Sequence, residues 1–104
     1  MTKTYSELRQ EALFRAAREM WKIAASVLDD VVNDVELASD RTDNWAKSVS
    51  SKTAEMARAL EEQGHEQCIA SGRQEAALRR ARSVHSDAIT RYMVRRAAAK
   101  ERAA

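Results

Sequence analysis

The sequence predicts an all-α protein, an elongated antiparallel helical bundle of two or three long helices forming a single domain over residues 1–104. The chain has no proline and only two glycines, which is too little turn chemistry for a β-rich protein. Alanine, arginine and glutamate, which all favour helices, are abundant. Apolar residues also recur at helical spacing over long stretches.

The first helix is expected from about Tyr5 to Ser39, opened by a capping box of Thr4 and Glu7. Two apolar stripes run along it. The first stripe is Leu8, Ala12, Ala16, Met20, Ile23, Val27 and Val31. The second stripe is Leu13, Ala17, Trp21, Ala24, Leu28, Val32 and Val35. Because the two stripes cover more circumference than one neighbour can bury, we expect a homodimer whose contacts bury the second stripe.

A break is expected at residues 39–44 (SDRTDN), whose side chains compete for backbone hydrogen bonds. Asp43 or Asn44 would then cap a second helix, with fraying or a kink at its serine-rich residues 48–52. This helix would end at Gly64 in a left-handed conformation. Its expected apolar side is Trp45, Val49, Met56 and Leu60. Both tryptophans are expected in the core, and either one, if exposed, would be the first interface candidate.

The third helix is expected from His65 or Glu66 to about Arg96. Its expected stripe is Ile69, Gly72, Ala76 or Ala77, Ala81, Val84, Ala88 and Tyr92, flanked by Leu78, His85 and Ile89. The same spacing then reaches arginines. Residues 95–104 therefore form a basic tail that is either frayed or offered to a partner.

Charge is distributed unevenly along the chain. Residues 27–43 carry a net charge of −5, and residues 73–104 carry +6. The acidic residues could pair with the chain's own basic third or dock on a basic surface. The basic residues could contact a protein or DNA phosphates, or lie in solvent. The candidate partner-binding residues are Asp29, Asp30, Asp34, Tyr92, Arg95, Arg96 and Lys100.

No pattern of residues indicates catalysis, a cofactor or a metal. His65 and Cys68 lie three apart, but a structural zinc site needs four ligands, and His85 is the only other candidate. We expect His85 to be partly buried and bonded to a neighbouring side chain, and the protein not to be an enzyme. No apolar run is long enough to span a bilayer and no secretory signal pattern opens the chain. A single cysteine fits a reducing cytoplasm.

Two runs resemble a known family. One is Ala24-Ala25-Ser26-Val27-Leu28 with Val32, Glu36 and Ser39-Asp40. The other is Ala54-Glu55-Met56-Ala57 with Leu60, Gln63-Gly64 and Glu66, followed by Asp87-Ala88-Ile89. They resemble a small helical anti-CRISPR protein of bacteriophages, which acts on type I-E systems by binding their nuclease-helicase. The similarity covers residues 24–40 and 54–89, and the present chain has extra residues around 41–52 and a longer basic tail.

The resemblance implies a non-enzymatic, phage- or mobile-element-encoded homodimer in the cytoplasm of the bacterial host. Such a protein would bind the CRISPR nuclease-helicase, or another type I effector subunit, and block its recruitment to target DNA or the cleavage itself. Two alternatives remain. The chain could be a small DNA-binding or accessory regulator that uses the basic C-terminal helix, or a structural assembly protein of a phage or plasmid.

Overall fold

The computed structural model describes residues 2–34, 40–66 and 70–103. Three helices run in alternating directions: α1 (Tyr5–Asp34), α2 (Asp40–His65) and α3 (Gly72–Ala103). The molecule measures 62 × 21 × 18 Å, and its radius of gyration of 16.8 Å exceeds the ~13 Å of a compact globule of this length. The predicted all-helical, elongated architecture is confirmed. Over the described residues, no helix has an apolar stretch sufficient to cross a bilayer.

The start of α1 follows the predicted capping box. The Glu7 backbone N–H donates to Thr4 Oγ1 at 3.2 Å, and the Leu8 N–H donates to the Thr4 carbonyl at 3.1 Å. The first of these bonds satisfies an otherwise unpaired first-turn donor, and the second is the first backbone hydrogen bond of the helix. The predicted extension of this helix over residues 35–39 lies outside the described residues.

The bounds predicted for α2 are wrong at both ends. The helix begins at Asp40, within the stretch expected to be a break, and Asp43 lies buried in the bundle instead of capping it. Gly64 is helical, and no described glycine has a positive φ. A Cβ on Gly64 would lie 2.5 Å from Cε1 of Phe14, so the glycine is needed there for close packing and not for a turn. The helix is continuous through residues 48–52.

The predicted bounds of α3 are also wrong. His65 ends α2, and α3 begins at Gly72 after a reciprocal cap. Gln74 N–H donates to Ser71 Oγ at 3.2 Å, and Ser71 N–H donates to Gln74 Oε1 at 3.0 Å. The helix then continues past Arg96 to Ala103, because alanine-rich sequence favours helix and basic residues near its end interact favourably with the helix dipole.

The core consists of three layers, in each of which an aromatic side chain packs among small residues. Phe14 packs with Ala17 and Leu78, and Trp21 packs with alanines of all three helices. Tyr92 lies in the third layer with Leu28, Val31 and three alanines. Small residues allow the helices to approach closely, and one large ring then fills each layer.

The distribution of apolar residues differs from the prediction in all three helices. The second stripe of α1 was expected to be covered by another copy, but Ala17, Trp21, Ala24 and Leu28 are buried within this chain. On α2, the buried residues are Asp43, Ala46, Ser50, Ala54, Ala57, Glu61 and Gly64, while Trp45 and Met56 are each 56% exposed. On α3, Ala81, Ala88 and Tyr92 of the expected stripe are buried, as are Leu78 and His85 at its flank, whereas Val84 is exposed. The buried apolar side chains of α2 are thus alanines, whereas α1 and α3 also bury the rings of Phe14, Trp21 and Tyr92.

Candidate functional site

The interface between α2 and α3 is held by polar side chains. α1 packs along both other helices, whereas the backbones of α2 and α3 hardly approach each other. Long side chains bridge this gap along the length of the bundle. We call the set the polar seam: Lys100–Asp40, Arg96–Asp43, Tyr92–Asp43, His85–Ser50, Arg82–Glu61 and His65–Glu75. These pairs can fix the antiparallel register of α2 and α3, because each pair forms only when the two helices are aligned as they are here.

The most buried charged member of the polar seam is Asp43, which is 2% exposed. The Tyr92 hydroxyl donates to Asp43 Oδ1 at 3.0 Å, and Arg96 Nε lies 2.7 Å from Oδ2. Lys47 Nζ lies 3.3 Å from the same oxygen. Burial alone would raise the pKa of the Asp43 carboxyl, but hydrogen bonds from Tyr92, Lys47 and Arg96 outweigh burial and hold the pKa below its ordinary value. Burial and the bond to Asp43 raise the pKa of Tyr92 to about 12.

His85 occupies the middle of the polar seam and is 6% exposed. The Ser50 hydroxyl donates its one hydrogen to the Ala24 carbonyl at 2.9 Å, so its oxygen accepts from His85 Nε2 at 3.1 Å. Burial, together with the positive charge of Arg58, lowers the pKa of the imidazole. The ring is therefore neutral at pH 7 and protonated on Nε2. The expectation of a buried histidine bonded to a neighbouring side chain is confirmed.

Several of the predicted partner-binding residues contact other parts of the same chain. Asp29 accepts two hydrogen bonds from Arg91, at 3.0 and 3.2 Å. Lys100 Nζ donates to Asp40 at 3.1 Å, and Arg96 contacts Asp43. The prediction that the acidic segment pairs with the basic third is confirmed at these three positions, within one chain.

The other predicted residues differ in their surroundings. Tyr92 is 1% exposed, and its hydroxyl is used inside the bundle. Asp30 and Arg95 are exposed and have no ion pair among the described residues. The side chain of Asp34, the last residue of α1, lies outside the described part of the chain. Neither sequence spacing nor charge indicated the Asp43, Ser50 and His85 contacts, because they depend on how α2 aligns with α3.

An apolar surface lies on the side of α1 and α2 that points away from α3. Asp29 of α1 and Asp40 of α2 contact α3, so they show which side of each helix points toward α3. The apolar residues lie on the opposite side of the two helices. We call this surface the outer face: Met20, Ile23, Val27, Trp45, Val49 and Met56. Ile23 is 45% exposed, Trp45 and Met56 are 56% exposed, and the others are half-buried. Trp21 is in the core as expected, and Trp45 is not, which makes Trp45 the interface candidate.

A cleft of about 300 Å³ opens between α2 and α3, beside the polar seam. Leu28 of α1 lines it, Ile89 and Met93 of α3 add apolar surface, and Lys47 and Arg58 of α2 add charge. His85 and Tyr92 also line it. We call this cavity the α2–α3 cleft.

The described residues include no group of three or more His, Cys, Asp or Glu side chains that could hold a metal ion. His65 Nδ1 lies 3.4 Å from Glu75, and its ring contacts Phe14. Cys68, its possible partner in the sequence, lies outside the described residues.

Comparisons with known proteins add no further identification. No protein-family pattern, curated relative or solved structure matches this chain. The geometry of the polar seam, the outer face and the α2–α3 cleft therefore carries the functional argument, together with the sequence resemblance described above.

Proposed function

We propose that this protein is a non-enzymatic, phage-encoded inhibitor that acts as a homodimer in the cytoplasm of the bacterial host. Its target would be the nuclease-helicase of a type I CRISPR system, or another effector subunit, whose recruitment to DNA or cleavage it blocks. The target rests on the resemblance of residues 24–40 and 54–89. The observation that carries the proposed self-association is the outer face, where one tryptophan and one methionine are each 56% exposed.

The first stripe of α1 supports self-association because several of its positions lie level with one another under a two-fold axis. If two copies of α1 pack antiparallel about a two-fold axis, residues whose numbers add to 39 lie at the same level. Ala12 then lies level with Val27 of the other copy and Ala16 with Ile23, whereas Val31 is buried in its own chain. A two-fold interface requires such a self-complementary pattern.

Charge follows the same symmetry. Arg9 and Asp30 are both exposed, neither has an ion pair among the described residues, and their numbers also add to 39. In the antiparallel arrangement each arginine lies level with the aspartate of the other copy, at both ends of the contact. Complementary rim charges of this kind fix the register of an interface.

The surface area of the chain is consistent with this proposal. The accessible surface is 6955 Å², whereas a compact monomer of 11.7 kDa exposes roughly 5,900 Å². The excess is similar to the ~800 Å² that each partner contributes to a standard interface. A dimer through the outer face would cover such an area.

The exposed part of α3 is the better candidate for contact with the nuclease-helicase. Val94 is 64% exposed next to Arg95, and both line a shallow depression with Val32 and Asn33 of α1. An apolar side chain beside an unpaired arginine is typical of protein interfaces. This surface does not overlap the outer face.

The DNA-binding alternative is less well supported, because four of the nine basic residues of the segment 73–104 are engaged within the chain. Arg82, Arg91, Arg96 and Lys100 all pair with carboxylates of α1 or α2. Phosphate contacts would have to displace these pairs. A gel shift at low salt tests the alternative, and retention of DNA that weakens with added salt would favour it over inhibition of a protein.

The decisive experiment is co-purification of this chain with type I CRISPR effector subunits. We expect the nuclease-helicase to be retained by the wild type and by Arg79→Glu, and to be lost with Arg95→Glu. Arg79 is an exposed arginine of α3 far from Val94, so Arg79→Glu controls for the same reversal of charge. Failure of the wild-type chain to retain any type I component would refute the inhibitor proposal.

Self-association is tested separately by analytical ultracentrifugation. We expect a dimer at micromolar concentration for the wild type and for Val84→Glu, and a monomer for Ile23→Glu. Val84 and Ile23 are similarly exposed, at 47% and 45%, but Val84 lies on α3, away from the outer face. A wild-type monomer at this concentration would contradict the proposed dimer while leaving target binding open.

A further inference from the structure

The α2–α3 cleft has the dimensions and lining of a small-ligand site. Its volume of about 300 Å³ is at the lower end of the range for ligand pockets. Leu28, Ile89 and Met93 supply apolar surface, and Ser50, His85 and Tyr92 supply polar groups. Apolar walls with a few polar groups are typical of sites that bind small organic molecules.

The charge of the cleft has one sign. Lys47 and Arg58 line it, and no carboxylate does among the described residues. Asp43 lies next to Lys47, but Arg96 also contacts its carboxylate, at 2.7 Å. Lys47 therefore shares the Asp43 carboxylate with Arg96, and it lies about 16 Å along α2 from Arg58.

Arg58 is the charge least compensated by the chain itself. Its guanidinium lies 5.3 Å from the centroid of the Trp21 ring, and it has no carboxylate partner among the described residues. The lowered pKa of His85, caused by burial and by Arg58, is consistent with a positive local potential. An anion in the cleft would relieve this repulsion.

We propose that the α2–α3 cleft binds a small organic anion with an apolar body, of the class of a medium-chain carboxylate. The hydrocarbon would lie against Leu28, Ile89 and Met93, and the carboxylate would contact Arg58 at the opening. A guanidinium binds a carboxylate through two parallel hydrogen bonds, so Arg58 would fix the orientation of the ligand. This site is independent of the proposed inhibition of a CRISPR protein and of the outer face.

The test is NMR titration of the full chain with octanoate, observing the methyl group of Met93 and the imidazole of His85. We expect saturable shifts of both signals and a rise in the pKa of His85, since a bound carboxylate stabilises the imidazolium. Octanamide has the same shape without the charge, and we expect it to bind about tenfold more weakly, as for loss of one charged hydrogen bond. Equal affinity for the two compounds, or no saturable shift with octanoate, would overturn the proposal.

Variants locate the site. We expect Arg58→Gln to weaken octanoate binding about tenfold and Arg79→Gln, the same change outside the cleft, to leave it unchanged. Ile89→Trp should fill the opening and abolish binding, and because Ile89 is 42% exposed the fold should tolerate the change. Thermal unfolding confirms that each variant is folded. Wild-type affinity in both Arg58→Gln and Ile89→Trp would place the ligand elsewhere and refute the assignment.

Discussion

The interfaces that α1 makes with α2 and α3 differ in chemistry from the interface between α2 and α3. Around α1 the contacts are apolar and close, built from alanines and one aromatic ring per layer. Between α2 and α3 the backbones stay apart, and hydrogen bonds and ion pairs bridge the space. The comparison indicates that burial around α1 supplies most of the stability and that the polar seam selects one register. The predictions below test this division.

Replacing the central ring should have the largest effect. Trp21→Ala removes the 2% exposed side chain of the middle layer and should lower the free energy of unfolding by about 3–5 kcal/mol. Trp45→Ala, at 56% exposure, should change it by about 0.5 kcal/mol or less. Urea unfolding monitored by circular dichroism measures both. Equal losses of unfolding free energy in the two variants would contradict the idea that burial around α1 supplies most of the stability.

The polar seam should be most sensitive at its buried carboxylate. Asp43→Ala leaves Tyr92 and Arg96 without their acceptor and should cost about 3 kcal/mol at neutral pH. Because the pKa of Asp43 is lowered by folding, its contribution is present above the unfolded value of about 3.9 and is lost as pH falls through the folded value. Asp30→Ala, an exposed control, should cost little. An Asp43→Ala protein as stable as wild type would show that the polar seam is dispensable.

The close packing of α1 against α2 is tested at Gly64. Alanine there would gain about 1 kcal/mol of helix propensity but must displace the Phe14 ring, which lies 2.5 Å from the added Cβ. We expect a net loss of about 1–2 kcal/mol in urea unfolding. Gly72→Ala has open space around its Cβ and should be neutral or stabilising. A stabilised Gly64→Ala protein would mean that the Phe14 ring can move away from residue 64 at little cost.

His85 makes the polar seam sensitive to mild acid. Folding lowers the pKa of its imidazole, so the unfolded chain binds the proton more tightly. The contribution of neutral His85 to the free energy of unfolding should be fully present above about pH 6.5, the pKa of histidine in the unfolded chain. It should be lost as pH falls through the lower pKa of His85 in the folded protein. His85→Gln should lose this pH dependence, as measured by thermal unfolding across a pH series. An unchanged dependence in the variant would assign it to other groups.

The smallest effect is expected at the exposed pair between α1 and α3. Asp29→Asn breaks the bidentate contact with Arg91, but water screens both groups. Thermal unfolding at low and at high salt should hardly distinguish this variant from wild type. A clear loss of stability at low salt would show that charge also matters on the α1 side of the bundle.

The sequence predicts the helical class and the elongated shape because both depend on composition and local preference. The absence of proline and the alanine content suffice for that. It does not predict which side of α2 is buried, because apolar periodicity marks Trp45 and Met56, whereas close packing selects Ala46, Ala54 and Ala57. The sequence likewise does not predict the contacts of Asp43 and His85, because they depend on how two helices far apart in sequence are aligned. The Ser71 cap is marked in the sequence by Gln74 three residues later, a local pattern that apolar spacing does not reveal.

The pairing of the acidic start of α2 with the basic end of α3 has a kinetic consequence. Opposite charges that cancel across a few ångströms generate almost no long-range field. Attraction at a distance would therefore contribute little to the first collision with a binding partner. Association should proceed at the 10⁵–10⁶ M⁻¹s⁻¹ typical of roughly neutral surfaces, so that the lifetime of the complex, not the speed of its formation, would set its strength.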